Sequence, residues 1–362
     1  MLTPYGNNLK MYIEGGSHDE KIELILDNLP AGLRVDTDAL QAFLQRRAPG
    51  QNAYSTARKE ADKPVFLSGL TADNITDGTR IHAVIYNQNQ HSGDYASLAD
   101  IPRPSHADYT ARMKYGANVD LRGGGHYSGR LTAMLCIAGG LCKQYLRQKG
   151  MDVFAHIYSI AEVQDSAFDL CTVGKAEQMQ LCAADFPVLD EKQGKKMQEA
   201  ILNAKEQGDS VGGVVECAVT GLPVGLGEHL FAGAEGRIAA LAFSVPAVKG
   251  VEFGSGFASS TLLGSQNNDA FYTDGERIYT QTNHCGGILG GMTNGMPLVF
   301  RCALKPTPSI AKEQDSVSLS KMENVKLSIK GRHDPCIVQR AVPVLEAVAA
   351  VAVCDMLLDG KR

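Results

Sequence analysis

Residues 336–358 read CIVQRAVPVLEAVAAVAVCDMLL and contain the most apolar stretch of the chain. The pattern predicts one long helix that is apolar on almost every side, and such a helix belongs at the centre of a large fold. Pro343, Glu346 and Asp355 interrupt the apolar run, which favours a buried core helix over a membrane span. We therefore expect the rest of the chain to pack around this segment.

The remaining chain mixes helical and strand-like patterns. Periodicity and capping signals predict helices over 38–47, 131–148, 191–207 and 228–243, and strands over 22–29, 80–87 and 211–219. Thr37 or Asp38 is the expected N-cap of the first helix, and residues 244–305 look like short strands joined by Gly-rich turns. No βαβ rhythm, repeat or linker is visible, so we expect an α+β fold in a single domain over residues 1–362.

Composition limits the classes of protein. The 362 residues carry 35 Lys and Arg against 40 Asp and Glu, a formal charge of −5. Apolar residues make up 44% of the chain, which is enough to build a core and argues against disorder. Nucleic-acid-binding proteins are usually basic, so the mild acidity argues against that class. An anionic ligand would have to be bound by locally placed Arg and Lys.

The cysteines and the N-terminus indicate the compartment. Nine cysteines are spaced irregularly and form no CxxC pair, which argues against a zinc site or a disulfide framework and for free thiols in a reducing environment. Residues 1–20 lack the apolar core of a signal peptide. We therefore expect a cytoplasmic protein without a metal centre.

One motif resembles the nucleophile motif of serine hydrolases. Residues 208–212 read GDSVG, which matches the G-x-S-x-G pattern that needs a strand before it and a helix after it. Here a predicted helix precedes and a predicted strand follows, so the segment is better interpreted as a turn. Neither a P-loop nor a complete dinucleotide-binding pattern occurs.

Four polar, Gly-rich clusters contain the candidate catalytic and ligand-binding residues. They are 15–19 (GGSHD), 103–109 (RPSHADY), 122–130 (RGGGHYSGR) and 331–336 (GRHDPC). Any one of them alone is more often a solvated turn, but four together favour a site. Guanidinium groups bind phosphate and carboxylate, and His and Asp exchange protons. Glycine lets the backbone approach an anion or a flat ring. The residues alone predict an enzyme acting on an acidic, phosphorylated metabolite.

Short segments spread over the chain carry a family resemblance: 16–18 (GSH), 46–50 (RRAPG), 92–95 (SGDY), 103–109, 114–116 (KYG), 208–213 (GDSVGG), 247–252 (AVKGVE), 264–267 (GSQN), 283–291 (NHCGGILGG), 303–307 (ALKPT) and 331–336. In sequence and in order they resemble the chorismate synthase family over nearly the whole chain.

The resemblance implies a lyase of the shikimate pathway, which makes aromatic compounds. Its reaction is the 1,4-anti elimination of phosphate from 5-enolpyruvylshikimate 3-phosphate to give chorismate, and it needs reduced FMN without net redox change. The implied fold has central helices between antiparallel sheets, and the implied assembly is a homotetramer. Because no dinucleotide fingerprint is present, we expect an external flavin reductant rather than intrinsic NADPH-dependent reduction.

Motif positions imply the site residues. His18 resembles the histidine that protonates or stabilises the leaving phosphate, His106 the one near flavin N1, and Asp334 the residue that helps flavin N5 act as a base. The implied substrate contacts are Ser17, Arg47, Arg103, Arg130 and Arg332. The implied FMN contacts are Ser128, Pro246, Ala247, Asn283, Gly290, Lys305, Thr307, Ser309 and Arg332.

The chain departs from the commonest family pattern at Asp19, Ala53, His126 and Tyr127. The aspartate adds charge beside the predicted phosphate-stabilising histidine. Ala53 removes one anion contact, which Arg58 or Lys59 could replace, and a charged hydrogen bond is worth about 1.5–3 kcal/mol. These departures leave a second hypothesis open: an FMN-binding protein of the same fold with lost or altered lyase activity.

Overall fold

The computed structural model describes residues 4–50, 61–87, 100–116, 119–329 and 334–359. The helices are α1 Thr37–Arg47, α2 Asp108–Tyr115, α3 Thr132–Gln148, α4 Lys175–Ala183, α5 Glu191–Glu206, α6 Ala234–Ser244, α7 Gly264–Asn267 and α8 Val338–Asp359. The strands are β1 Lys10–Glu14, β2 Lys21–Asp27, β3 Val65–Ser68, β4 Ile81–Tyr86, β5 Asp152–Ile160, β6 Val163–Gln164, β7 Gly213–Thr220, β8 Val248–Phe253, β9 Phe271–Thr273, β10 Ile278–Thr280, β11 Ile288–Leu289, β12 Met292–Thr293, β13 Leu298–Leu304, β14 Gln314–Ser318 and β15 Glu323–Leu327.

Two antiparallel sheets form the outer layers of the fold. The first has the strand order β1-β2-β4-β3, and the second has the order β6-β5-β7-β13-β8. In β2 every second residue is buried, namely Ile22, Leu24 and Leu26, so this sheet turns one face to the core. Three short hairpins, β9-β10, β11-β12 and β14-β15, complete the strand pairs.

Helices α3 and α8 lie between the two sheets. Helix α3 packs on β2, α8 packs on β5 and β7, and the two helices pack on each other. They approach so closely that a Cβ added to Gly139 of α3 would lie 2.2 Å from the Cβ of Ala347 of α8. The predicted α+β architecture, with central helices between antiparallel sheets, is therefore observed.

Helix α8 is long and apolar enough to cross a membrane, but 89% of its most apolar 18-residue window is buried inside the protein. Two of its three acidic residues, Glu346 and Asp355, are buried and have specific partners. Glu346 pairs with Arg46 and Lys143, and Asp355 accepts hydrogen bonds from the backbone N–H groups of Asn8 and Leu9 at 2.8 and 2.9 Å. The two acidic interruptions of the apolar run are therefore buried and paired, which a core helix allows.

Some predicted boundaries were wrong. Asp36, rather than Thr37 or Asp38, is the N-cap of α1, because its side chain accepts from the N–H of Ala39. The single helix predicted over 228–243 is a 3₁₀ turn at Leu230–Ala232 followed by α6, because Gly233 adopts an extended ψ of 150° that stops the turn. The region 244–305 also contains helical turns, at Gly256–Thr261 and α7.

Candidate active site

A cleft of about 410 Å³ lies where the loops after α1, before α2 and before α8 meet the ends of β8 and β13. This volume is within the usual range for small-molecule sites, roughly 300–1,000 Å³. The cleft is lined by many of the predicted site residues, namely Arg47, Arg103, His106, Ser128, Arg130, Pro246, Ala247, Lys305, Thr307, Ser309 and Asp334. Segments more than 200 residues apart in the chain are thus brought to one place.

Asp108, the first residue of α2, holds two of the predicted site residues at once. Its carboxylate accepts from Nε and Nη2 of Arg103, both at 2.7 Å, and lies 2.6 Å from Nδ1 of His106. Burial alone would raise the pKa of Asp108, but the hydrogen bonds from Arg103 and His106 outweigh burial and hold that pKa well below its ordinary value. The ionised carboxylate fixes the proton of His106 on Nδ1, which leaves Nε2 as the nitrogen that faces Gly124.

Asp62 joins two of the predicted substrate arginines. Its carboxylate pairs with Nη1 of Arg47 at 2.5 Å and with Nη1 of Arg130. Burial would raise the pKa of Asp62, but the charges of Arg47 and Arg130 hold it below its ordinary value. Sequence reasoning missed Asp62, because its partners lie 15 and 68 residues away and no local pattern marks it.

Ser17 and His18 lie behind Gly123, which lines the cleft. Ser17 Oγ lies 3.1 Å from Nδ1 of His18 and donates to the carbonyl of Arg122 at 3.0 Å. Gly123 has a left-handed φ of +57°, and a Cβ there would lie 2.1 Å from Cε1 of His18. The glycine run at 123–125 therefore lets the backbone pass beside His18 on one side and His106 on the other.

Asp334 lines the cleft and lies at the start of the described segment that leads into α8. It forms an ion pair with Nη1 of Arg340, whose Nε donates to the carbonyl of Arg47 at 3.0 Å. Burial lowers the pKa of Arg340, yet an arginine stays charged in proteins. Arg340 follows the fourth cluster in the chain, but its link to Arg47, 293 residues away, could not be read from the sequence.

The opposite wall combines apolar groups with a lysine. Pro246 and Ala247 end the turn before β8, and Ala247 has a left-handed φ of +76°. The N–H of Lys305 donates to the carbonyl of Ala247 at 2.9 Å, and its Nζ donates to the carbonyl of Ser105 at 2.5 Å. Burial and the nearby Lys249 lower the pKa of Lys305. Lys305 thereby ties the two walls of the cleft together.

The GDSVG segment forms a turn between α5 and β7, as the sequence predicted, and supports the cleft from behind. Ser210 Oγ donates to the carbonyl of Thr307 at 2.7 Å, and the N–H of Val211 donates to the carbonyl of Pro335 at 2.9 Å. The serine is therefore bonded to the backbone of the cleft wall. This arrangement explains why a hydrolase-like motif occurs here without a nucleophile elbow.

Not every predicted contact lies at the cleft. Asn283 is buried elsewhere, where its side chain donates to the carbonyls of Leu170 and Pro297. Gly290 lies in the β11–β12 hairpin, with a left-handed φ of +61°. Arg332 is outside the described residues, as are Ala53, Arg58 and Lys59.

The two altered residues of the third cluster have defined places. His126 is exposed, and its Nδ1 lies 2.8 Å from the carbonyl of Gly15, so it links the first and third clusters. Tyr127 lines the cleft, where burial and a hydrogen bond with Tyr115 raise its pKa. The difference at Tyr127 therefore alters the lining of the cleft, and neither residue is part of the Asp108 network.

The comparisons with known proteins agree with the motif resemblance. The chorismate synthase family model matches residues 9–358. The chain is 42% identical over 367 residues to a chorismate synthase of Lancefieldella parvula, an alignment that covers 99% of this chain and 96% of the relative. It is 42% identical over 359 residues to one from Methanobrevibacter smithii, covering 99% and 97%. A crystal structure of chorismate synthase superposes with a TM-score of 0.76 at 27% identity, covering 98% of this chain and 93% of the other.

Proposed function

The chain belongs to the chorismate synthase family and has its carbon–oxygen lyase activity, and we propose that the cleft binds 5-enolpyruvylshikimate 3-phosphate together with reduced FMN. The observation that carries this assignment is the convergence of Arg47, Arg103 and Arg130 on the cleft that also holds His106 and Asp334. The substrate has one phosphate and two carboxylates, and arginine forks suit both groups. The differences at His126 and Tyr127 leave this set of arginines in place.

The donors on the far wall fit a flavin. Thr307 Oγ1 is buried at the cleft and has no hydrogen-bond partner among the residues that the structure describes, and such an atom in a native site calls for a ligand or water. Pro246 and Ala247 offer an apolar surface for a flat ring, and Lys305 offers a cation for a phosphate or a ring edge. Reduced FMN, when bound, supplies the electron density that helps phosphate leave. Ser128 and Ser309 complete the proposed set of contacts.

Side chains of the protein hold the protons that the proposed reaction exchanges. Asp108 keeps one proton of His106 on Nδ1, so that Nε2 is available to exchange a proton with flavin or substrate. The ion pair with Arg340 orients the Asp334 carboxylate at the cleft. In this proposal Ser17 orients His18, and His18 acts on the leaving phosphate of a substrate that extends toward Gly123.

An anaerobic assay tests this proposal. Purified protein is mixed with photochemically reduced FMN and 5-enolpyruvylshikimate 3-phosphate, and chorismate absorbance and phosphate release are followed. We expect both products in a 1:1 ratio. A protein that binds FMN with no product would contradict the proposal and favour a flavin-binding protein with lost activity. In a parallel aerobic arm with NADPH and FMN, we expect no steady NADPH oxidation, because the reductant is external.

We propose a homotetramer in the cytoplasm. Large apolar side chains are exposed on the turn at Gly256–Thr261 and on the β9–β10 hairpin, including Phe257, Phe271 and Ile278, each more than 60% exposed. Exposed apolar patches of this kind mark protein interfaces. All nine cysteines are free thiols, which suits a reducing compartment. Light scattering should give four times the 38.7 kDa chain mass, and a monomer would contradict the assembly.

A further inference from the structure

We infer that Asp62 is a positioning residue for anion binding, because its carboxylate sets the places of the Arg47 and Arg130 guanidinium groups in the cleft. This inference rests on the proposal that these two arginines bind the substrate. Asp62 itself does not line the cleft, and its role is to hold the side chains that do.

The geometry is that of a shared counterion. One carboxylate oxygen pairs with Nη1 of Arg47 at 2.5 Å, and the other pairs with Nη1 of Arg130. The Asp62 side chain is 0% exposed, and those of Arg47 and Arg130 are 2% and 4% exposed. Because solvent is excluded, water cannot screen the repulsion between the two cations, and the carboxylate between them must offset it.

Arg47 is oriented by three separate bonds. Its Nε donates to Thr132 Oγ1 at 3.1 Å, its Nη2 donates to the carbonyl of Gly129 at 3.1 Å, and its Nη1 pairs with Asp62. A guanidinium has five N–H groups. Within the part of the chain that the structure describes, two of them remain for a ligand. Arg130 is held from a second direction by Asn87, whose Oδ1 accepts from Nε at 3.1 Å.

The backbone gives an independent indication. Asp62 adopts a left-handed φ of +46°, which is uncommon for a residue other than glycine. Such conformations persist where the surroundings impose them, and they are concentrated at functional sites. Among the described residues, the side-chain partners of Asp62 are these two arginines of the cleft. The conformation therefore directs the carboxylate to the two arginines.

The test compares Asp62→Asn with a matched control. The variant keeps the size of the side chain but loses the charge that serves both arginines. We expect the KM for 5-enolpyruvylshikimate 3-phosphate to rise about 10-fold or more, with a smaller fall in kcat, as loss of a charged hydrogen bond implies. The rise in Tm that the substrate causes in the wild-type protein should shrink in parallel. Asp27→Asn, which breaks an exposed pair with Arg80, should change neither quantity.

The outcomes separate this inference from the site assignment. If Arg47→Ala and Arg130→Ala leave KM unchanged, the proposed substrate site is wrong. If they raise KM while Asp62→Asn leaves KM and the Tm shift unchanged, or binds substrate more tightly, only the role of Asp62 is overturned. Should Asp62→Asn fail to fold, Asp62→Glu keeps the charge but moves the carboxylate relative to the Arg47 and Arg130 guanidinium groups. We then expect a KM rise of about 3-fold, and an unchanged KM would overturn the inference.

Discussion

At the scale of single residues, the cleft depends on carboxylates that hold basic side chains in place. Asp108 holds Arg103 and His106, Asp62 holds Arg47 and Arg130, and each does so from a buried position. A carboxylate that orients a histidine also fixes which ring nitrogen carries the proton. The chemistry of His106 therefore depends on a neighbour two residues along the chain.

Substitution of the two residues proposed to transfer protons should affect turnover more than flavin binding. We expect His106→Ala and Asp334→Asn each to lower kcat by about 10²- to 10⁴-fold, the usual contribution of a general acid or base. The Kd for FMN should change far less, because Lys305 and Thr307 remain. Anaerobic turnover and flavin fluorescence measure the two quantities separately. Near-full activity in either variant would refute the assigned role.

Replacement of Gly123 is a second substitution that should lower activity without preventing folding. In Gly123→Ala the new Cβ would lie 2.4 Å from Nδ1 of His18 and 2.7 Å from Oγ of Ser17, at a left-handed φ. One of the two must move, so we expect activity to fall at least 10-fold in a protein that still folds. The control is Gly236→Ala in α6, where a Cβ meets no atom within 4 Å. It should gain about 0.5–1 kcal/mol of stability and keep its activity.

At the scale of elements, α8 organises the molecule through buried, paired carboxylates as well as through apolar packing. Glu346 is fully buried and pairs with Arg46 of α1 at 2.6 Å and with Lys143 of α3. Both cations also lie over the ring of Phe43, at 5.9 and 4.7 Å from its centre. The pair at Arg46 fixes the end of α1, so that the next residue, Arg47, reaches the cleft.

Removing this charge should destabilise the whole fold. We expect Glu346→Gln to lose about 3–5 kcal/mol of unfolding free energy, because two cations are left without their counterion in a buried site. Urea denaturation at pH 7 measures the loss. The matched control, Glu323→Gln on exposed β15, should stay within about 0.5 kcal/mol of wild type. Equal stability of the two variants would show that the Glu346 cluster contributes nothing.

At the scale of the whole molecule, buried carboxylates determine how stability varies with pH. Burial alone would raise the pKa values of Asp62, Asp108 and Glu346, but their cationic partners outweigh burial and lower all three. A carboxyl whose pKa is lower in the folded protein contributes stability above its unfolded pKa, and that contribution is lost as the pH falls. The unfolded values are about 3.9 for Asp and 4.3 for Glu.

The urea midpoint should therefore fall steeply below about pH 4.5. The difference between wild type and Glu346→Gln should shrink over the same range, because protonation removes the charge that the variant lacks. Denaturation curves at pH 7, 5, 4 and 3.5 measure both effects. A difference that stays constant down to pH 3.5 would contradict the role given to these ion pairs.

The sequence by itself determined the fold class and the family. The apolar run at 336–358 required a central helix, because a segment without a polar face must be covered on all sides. Ordered motifs then indicated the family, and with it the lyase activity. Many of the motif residues do meet in one cleft. Local signals sufficed for the helix and the motifs, because each of them depends on residues that are near one another in the chain.

Only the tertiary structure decided which groups hold the site together. Asp62 meets Arg130 from 68 residues away, Arg340 meets the backbone of Arg47 from 293 residues away, and Lys305 meets Ser105 from 200. The structure also placed Asn283 and Gly290 outside the cleft of this chain. Such contacts arise when α1, α3 and α8 pack between the two sheets, and no periodicity or motif encodes a pairing made by packing. A buried charge is costly unless it is paired, so the residues that the fold brings beside a buried charge must supply its partner.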